Sequence, residues 1–317
     1  MDTYYFNGRP IPNPSEIKGN YSFRDGNSWV KVFADMASRD RELCILHKLA
    51  SCPGVVRAVG PGTVDIDARN GDTKTYYAIR EEYVGEKDIR EYCKKHYDEG
   101  EMLALFSELA GILAHVEAAG ILHNDIKPAN ILVTEEGRPV LIDFGISVEK
   151  GEPMTALHTC GTTKYTAPEK KCGDVSVKSD IYSFGQVLND CMWQNPKGYM
   201  SYSPALKALR SRCILEGNPD GRYGSFAEVY VALQDMISKA QEDSDYQEPR
   251  IKQIMSDLMQ SIPHVPIRIL SAVLYGSGII IILLTLYLII CGPSSPNGYV
   301  PSPKEDIATV IQDIRNH

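Results

Sequence analysis

The chain has 317 residues, of which 43% are hydrophobic, enough for a buried core, and this excludes a chain that is disordered throughout. A net charge of -8 and the lack of any lysine- or arginine-rich run argue against nucleic-acid binding. The eight cysteines have neither a C-x-x-C pair nor a regular spacing, so we expect reduced packing residues of a cytosolic domain rather than zinc ligands or a disulfide framework.

The N-terminal part of the chain has the pattern of a small antiparallel sheet with one helix. Residues 1–16 contain no apolar segment behind a basic start, so they predict an N-terminal extension rather than a signal peptide. Over 17–84, an Asp-Gly pair at 25–26 and an Asn-Gly pair at 70–71 each separate two β-like runs, which is typical of hairpins. Between them, "SRDRELCILHKLAS" places three leucines at helical spacing before a Pro-Gly pair at 53–54.

Residues 85–240 have a mainly helical pattern. The segment "EMLALFSELAGILAHVEAAG" repeats apolar residues on one face and reaches its predicted end at Gly120. Two short strand-like runs, "ILVT" and "VLIDFG", follow around a turn. Further helices are predicted for "SDIYSFGQVLNDCMW" and "SFAEVYVALQDMISKAQ".

The C-terminal part predicts a membrane anchor. Residues 241–268 are polar and contain three prolines, which suits a juxtamembrane linker. Residues 269–291 carry no charge and would span roughly 34 Å as a helix, enough to cross a bilayer; a buried core helix is the alternative. The Lys/Arg balance favours a cytoplasmic N-terminal part, with 292–317 as a short tail outside that is either an amphipathic helix or frayed. The small pair Ala272 and Gly276 would allow a homodimer through the membrane helix.

Five motifs carry the functional signal. The aspartate of the second motif lies 18 positions after the aspartate of the first. In chain order the motifs are "HNDIKPAN" (123–130), "DFG" (143–145), "GTTKYTAPE" (161–169), "SDIYSFG" (179–185) and "GRYGSF" (221–226). In this order and spacing, residues 20–240 resemble serine/threonine protein kinases. The resemblance implies an α+β fold with two lobes, a small antiparallel β-sheet lobe with one helix (17–84) and a larger, mainly helical lobe (85–240), followed by the transmembrane helix.

The resemblance also assigns roles to residues of the first two motifs. Asp125 would accept or orient the proton of the attacking hydroxyl, and Lys127 would place a positive charge on the transferred phosphoryl group. Asn130 and Asp143 would bind Mg²⁺ through hard oxygen ligands. Leu132 would contact the bound ATP.

In the small lobe, "WVKVF" resembles the strand whose lysine holds the α- and β-phosphates of ATP, which would be Lys31, oriented by Glu42 from the helix. No G-x-G-x-x-G motif precedes Lys31, and Gly19 is the candidate remnant of the loop that covers the phosphates. The same alignment places Glu81 beside the adenine pocket, where an apolar residue is usual and a carboxylate costs desolvation energy.

Asn124 occupies the position at which kinases usually carry an arginine that receives a phosphate on the activation segment. Asparagine cannot make that charge-assisted contact, so we expect no need for phosphorylation within 146–166. The resemblance further predicts a buried ion pair between Glu169 and Arg222, and a contact between Asp180 and the backbone of the catalytic loop.

These patterns predict a membrane-anchored serine/threonine protein kinase with ATP, Mg²⁺, a protein substrate and the lipid bilayer as partners. One alternative is a pseudokinase that acts as a membrane-tethered scaffold, because the glycine-rich loop is missing. A second is a small-molecule phosphotransferase of the kinase-like superfamily, although such enzymes lack the "GTTKYTAPE" segment that supports a peptide substrate.

Overall fold

The computed structural model describes residues 3–10, 15–18, 22–67, 73–152 and 164–242. The N-terminal part forms one antiparallel sheet of seven strands in the spatial order β2-β1-β6-β7-β5-β4-β3. The strands are β1 (Thr3–Phe6), β2 (Arg9–Pro10), β3 (Ser15–Lys18), β4 (Ser22–Asp25), β5 (Ser28–Phe33), β6 (Ala58–Asp67) and β7 (Thr73–Glu82). This sheet confirms the small β lobe that the sequence predicts.

The two predicted hairpins are both present as strand pairs. Strands β4 and β5 pair through Asp25 and Ser28, and Gly26 between them has a φ of +59°, a conformation that glycine adopts without a steric penalty. Strands β6 and β7 pair from Ala58 and Glu81 to Asp67 and Thr73, with one register shift between Ala58 and Gly60. The residues that connect this second pair lie outside the described ranges.

One helix, α1 (Met36–Lys48), connects β5 to β6. It begins where the side chain of Asp35 accepts a hydrogen bond from the backbone N–H of Ser38 at 2.8 Å, which satisfies one of the free donors of the first turn. Its buried residues include Glu42 and Leu46, so the helix turns a carboxylate towards the protein interior together with its apolar face. The predicted single helix of this lobe is confirmed.

The segment predicted as an extension, 1–16, contributes strands to the sheet. Strand β1 pairs antiparallel with β6 from Thr3 to Phe6. Phe6 is buried in a second, smaller core with apolar residues of β4 to β7, among them Phe23 and Val64. Burial of this aromatic ring explains why β1 is held on the sheet.

The larger lobe is mainly helical, as predicted. Its helices are α2 (Ile89–Cys93), α3 (Glu99–Ala118), α4 (Val177–Met192), α5 (Pro204–Cys213) and α6 (226–242). Short antiparallel pairs join β8 (Ile121–Leu122) to β11 (Val148–Glu149), and β9 (Ile131–Val133) to β10 (Pro139–Leu141). The predicted apolar face of α3 is buried in the main core, and the helix ends before Gly120, whose φ is +79°.

Of the described residues, none belongs to a helix long and apolar enough to cross a membrane. The predicted linker (241–268) lies almost entirely outside the described ranges, and the predicted span (269–291) and outer tail (292–317) lie wholly outside them.

Candidate active site

The loop between β8 and β9 fixes an aspartate with two neighbouring side chains. The Nζ of Lys127 donates to Asp125 Oδ2 at 2.6 Å. Asn130, in a short 3₁₀ turn, donates through Nδ2 to the backbone oxygen of Asp125 at 2.9 Å and to Oδ2 at 3.1 Å. The predicted trio therefore meets, and two hydrogen bonds to Oδ2 hold the carboxylate of Asp125 in one orientation.

The backbone of this loop is anchored from α4. The buried carboxylate of Asp180 accepts the backbone N–H of His123 at 2.8 Å and that of Asn124 at 2.9 Å, which is the predicted contact with the loop. Burial raises the pKa of Asp180 to about 6, and the two N–H donors and the charge of Lys170 act against this rise. Asn124 has a φ of +67°, a left-handed conformation that asparagine tolerates better than most residues.

A second cluster joins the two lobes. Lys31 on β5 places its Nζ 2.6 Å and 2.8 Å from the two carboxylate oxygens of Glu42 on α1, and 2.5 Å from Asp143 Oδ1. Glu42 also accepts the backbone N–H of Phe144 at 3.1 Å. The predicted Lys31–Glu42 contact is therefore present, and it extends to the "DFG" segment.

The charged groups of this cluster shift one another's pKa values. Burial acts to lower the pKa of Lys31, but the carboxylates of Glu42 and Asp143 outweigh it and raise that pKa above its ordinary value. Burial also raises the pKa of Glu42, against the opposing effect of Lys31. Burial would raise the pKa of Asp143, but the ammonium group of Lys31 holds it below its ordinary value. Lys31 is consequently a permanent cation, and Asp143 is an anion at neutral pH.

The "DFG" segment has a backbone shape that sequence alone does not reveal. Asp143 has a φ of +66°, and 41% of its side chain is exposed towards the cleft. At Gly145 a Cβ atom would lie 3.2 Å from a carboxylate oxygen of Glu42. A larger residue would therefore require the Glu42 carboxylate to shift by a few tenths of an ångström.

A cavity of about 630 Å³ lies between the two clusters. Five of the predicted residues line it, namely Lys31, Lys127, Asn130, Leu132 and Asp143. Two further predicted residues, Glu42 and Asp125, form hydrogen bonds with residues that line the cavity. Gly19 lies outside the described ranges. Ser22, at the start of β4, lines the cavity.

Sequence reasoning missed the apolar walls of the cavity. Trp29, Val56, Val84 and Ile142 line it together with Leu132. Trp29 could have been inferred, because it lies two residues before Lys31 on the same strand and must share its face. The others come from loops or strand ends, for which periodicity gives no direction. Together they give this part of the cavity wall an apolar surface, as is common in small-molecule sites.

Glu81 lies where the alignment placed it. It belongs to β7, is only 4% exposed, and lines the cavity. Burial raises its pKa to about 8, with Lys31 acting to lower the pKa and the neighbouring carboxylates acting to raise it.

The predicted buried ion pair is also present. Arg222 donates to Glu169 through two nitrogens, at 2.5 Å and 3.1 Å, and to the backbone oxygens of Lys178 and Leu215 at 3.0 Å and 2.9 Å. The Arg222 side chain is fully buried. This network fixes the end of the "GTTKYTAPE" motif against the helices of the larger lobe, while residues 153–163 lie outside the described ranges.

Comparisons with known proteins agree with this geometry. A family model described as "Protein kinase domain" matches residues 34–261. The match begins after Lys31, so the strand that carries this lysine lies in the part of the chain that the model does not match.

Individual relatives are serine/threonine kinases by name. The chain is 31% identical over 166 residues to serine/threonine-protein kinase PknH of Mycobacterium bovis, covering 44% of this chain and 28% of that protein. It is 39% identical over 166 residues to serine/threonine-protein kinase PknD of Mycobacterium tuberculosis, covering 44% and 25%. It is 26% identical over 224 residues to serine/threonine-protein kinase F of Synechocystis, covering 61% and 44%. The matched part is thus less than half of each of these relatives.

Proposed function

The chain belongs to the protein kinase family, and on this premise we propose that it transfers the γ-phosphoryl group of ATP to serine or threonine hydroxyls of a protein. The observation that carries the proposal is the position of the cavity between two charged clusters, one around Asp125 and one around Lys31. Phosphoryl transfer needs positioning and charge neutralisation more than covalent chemistry, and these clusters supply both.

The residues at the mouth of the cavity suit a bound magnesium ion. In the described part of the chain no three His, Cys, Asp or Glu side chains group to hold a metal alone. Mg²⁺ commonly takes one or two protein ligands and completes its shell with phosphate oxygens and water. Asp143 offers a carboxylate, and Asn130 offers its amide oxygen because its Nδ2 is engaged by Asp125. A bound Mg²⁺ would neutralise charge on the phosphates.

Asp125 and Lys127 have different roles in the transfer of the phosphoryl group. The hydroxyl oxygen of the substrate forms a bond to the γ-phosphorus as the bond from that phosphorus to the bridging oxygen breaks and ADP leaves. The carboxylate of Asp125 takes the hydroxyl proton. Lys127 places its charge beside Asp125 at 2.6 Å and balances negative charge on the phosphoryl group. Lys31 holds the remaining phosphates.

Catalysis is proposed to be independent of phosphorylation on the activation segment. The side chain of Asn124 carries no charge and donates to the backbone oxygen of Ile146 at 2.9 Å, so it is used within the protein. A phosphate elsewhere on the segment would not find its usual arginine at this position.

We further propose that residues 269–291 anchor the chain in a membrane, with the catalytic part in the cytosol and 292–317 outside. The uncharged 23-residue run supports this proposal. The small pair Ala272 and Gly276 supports a homodimer through the same helix. Full-length protein that alkaline carbonate extracts from membranes as completely as a variant lacking 269–317 would contradict the anchor.

The kinase activity is tested by transfer of labelled phosphate from ATP and Mg²⁺ to a generic protein substrate, with the full chain in detergent. We expect Asp143→Asn and Asp125→Asn each to lower the rate by at least about a hundredfold. Asp235→Asn is the matched control, because this aspartate is exposed on α6 and forms an ion pair with Lys239 one turn along the same helix. Equal background signal from the wild type and Asp143→Asn would favour the pseudokinase scaffold instead.

A further inference from the structure

The carboxyl group of Glu81 is a buried polar group of the cavity wall to which the proposed chemistry assigns no role. Its side chain is buried, and its Oε1 has no hydrogen-bond partner among the described residues. Lys31 directs its hydrogen bonds to Glu42 and Asp143. A buried polar atom without a partner is costly, and such atoms are uncommon in folded proteins.

The register of the sheet places this carboxyl group inside the cleft. Glu81 on β7 lies opposite Trp29 on β5 and opposite Ala58 on β6. Side chains directly across a strand pair share a face, and Trp29 shares its face with Lys31, two residues along β5. Glu81 therefore faces the cavity beside the indole of Trp29, at the side of the sheet that carries Lys31.

The surroundings of Glu81 suit a base rather than a phosphate. A phosphate group would be repelled by the ionised form of Glu81 and attracted to the cations Lys31 and Lys127. The apolar wall formed by Trp29, Val56, Val84, Leu132 and Ile142 suits a planar ring. When Glu81 is ionised its carboxylate only accepts hydrogen bonds, so the ring edge that reaches it must then offer a donor.

We propose that Glu81 is a specificity-determining residue that accepts a hydrogen bond from the exocyclic amino group of adenine, so that the cavity favours 6-aminopurine over 6-oxopurine nucleotides. This inference rests on the proposed function, since it requires that the cavity bind a nucleotide. A 6-oxo group would instead direct an acceptor oxygen at the ionised carboxylate, which would then stay unsatisfied.

The test compares ATP with ITP, which has an oxygen in place of the 6-amino group. Dissociation constants of both nucleotides are measured with Mg²⁺ on the full chain at pH 8.5, where a group with a pKa of about 8 is mostly ionised. We expect the wild type to prefer ATP, and Glu81→Leu to reduce the ratio of the two dissociation constants about tenfold. Glu81→Gln should reduce it similarly, because an amide can rotate to donate to the 6-oxo group.

Glu108→Gln on the exposed side of α3 is the control that removes a carboxylate elsewhere, and it should keep the wild-type ratio. An unchanged ratio in both Glu81 variants, or an equal loss of affinity for both nucleotides, overturns the assignment of Glu81 alone. A wild-type protein that binds neither nucleotide overturns the proposed function together with it. Glu81→Gln keeps the side-chain volume, so the comparison stands even when Glu81→Leu does not fold.

Discussion

The ammonium group of Lys170 donates to the backbone oxygen of Asn124 at 2.5 Å, and both residues are buried. Lys170 lies in the 3₁₀ turn Glu169–Cys172, and its charge counteracts the burial of Asp180, which holds the backbone of the same loop. Position 124 contributes no charge of its own. The cation beneath the catalytic loop therefore comes from the segment that follows the activation segment.

Replacement of Lys170 by methionine is predicted to destabilise the fold. The variant leaves Asp180 buried without this cation, and loss of one partner of a buried charge interaction costs about 3–5 kcal/mol. The free energy of unfolding of the full chain in urea measures the effect. Lys171→Met is the matched control, because the side chain of Lys171 is exposed. This substitution should change the free energy of unfolding by less than about 0.5 kcal/mol. Equal effects of the two substitutions would contradict the role given to Lys170.

A double-mutant cycle is predicted to reveal that positions 124 and 170 share one cationic site. Asn124→Arg alone adds a second buried cation beside Lys170, and it also places arginine at a φ of +67°, which costs about 1–2 kcal/mol. Combined with Lys170→Met, the new arginine replaces the lost charge. We expect the double variant to be more stable than the sum of the single effects by at least about 1 kcal/mol, measured by urea unfolding. Simple additivity would show that the two positions do not interact.

The sequence predicted the catalytic loop better than the walls of the cavity for a physical reason. Asp125, Lys127 and Asn130 lie within six residues, so their spacing almost dictates their contacts. By contrast, Lys170 and Lys171 are adjacent in an "EKKC" run, and a 3₁₀ turn decides which of them is buried. Neither the 3.6-residue nor the two-residue period describes such a turn.

Strand pairing in the sheet shows the same difference between contacts that local sequence predicts and contacts that it does not. The hairpin of β4 and β5 follows from its Asp-Gly turn, a local signal. The pairing of β1 with β6 joins residues about sixty positions apart, and no local pattern in Thr3–Phe6 specifies that partner. The burial of Glu81 depends likewise on two neighbouring strands and on Lys31, so the alignment could place the residue but not its environment.

The free energy of unfolding of the nucleotide-free protein is predicted to decrease as the pH rises, because of Glu81. Burial raises its pKa from 4.5 to about 8, so between these values the folded chain holds a proton that the unfolded chain has released. The contribution of Glu81 to the free energy of unfolding is fully present below pH 4.5. It is lost as the pH rises through 8, by up to about 1.4 kcal/mol per pH unit.

Glu81→Gln stays neutral at every pH and removes this contribution. The stability advantage of Glu81→Gln over the wild type should therefore grow between pH 5 and pH 8, measured by urea unfolding at several pH values. Glu108→Gln is again the control, and its pH dependence should run parallel to that of the wild type. A constant difference between the wild type and Glu81→Gln across this range would contradict a raised pKa at Glu81.

Phosphatase treatment is predicted to leave the kinase activity within about twofold of the untreated value, because Asn124 cannot form the charge-assisted contact that a phosphorylated segment needs. Three threonines of the segment 146–166 could accept a phosphate, namely Thr155, Thr159 and Thr163. As an independent form of the experiment they are replaced together by alanine, and this variant should keep its rate of phosphate transfer. Asp143→Asn serves as the inactive reference in the same assay. A large loss of activity after phosphatase treatment, restored when the segment is phosphorylated again, would contradict the prediction and show that a cation elsewhere in the protein receives the phosphate.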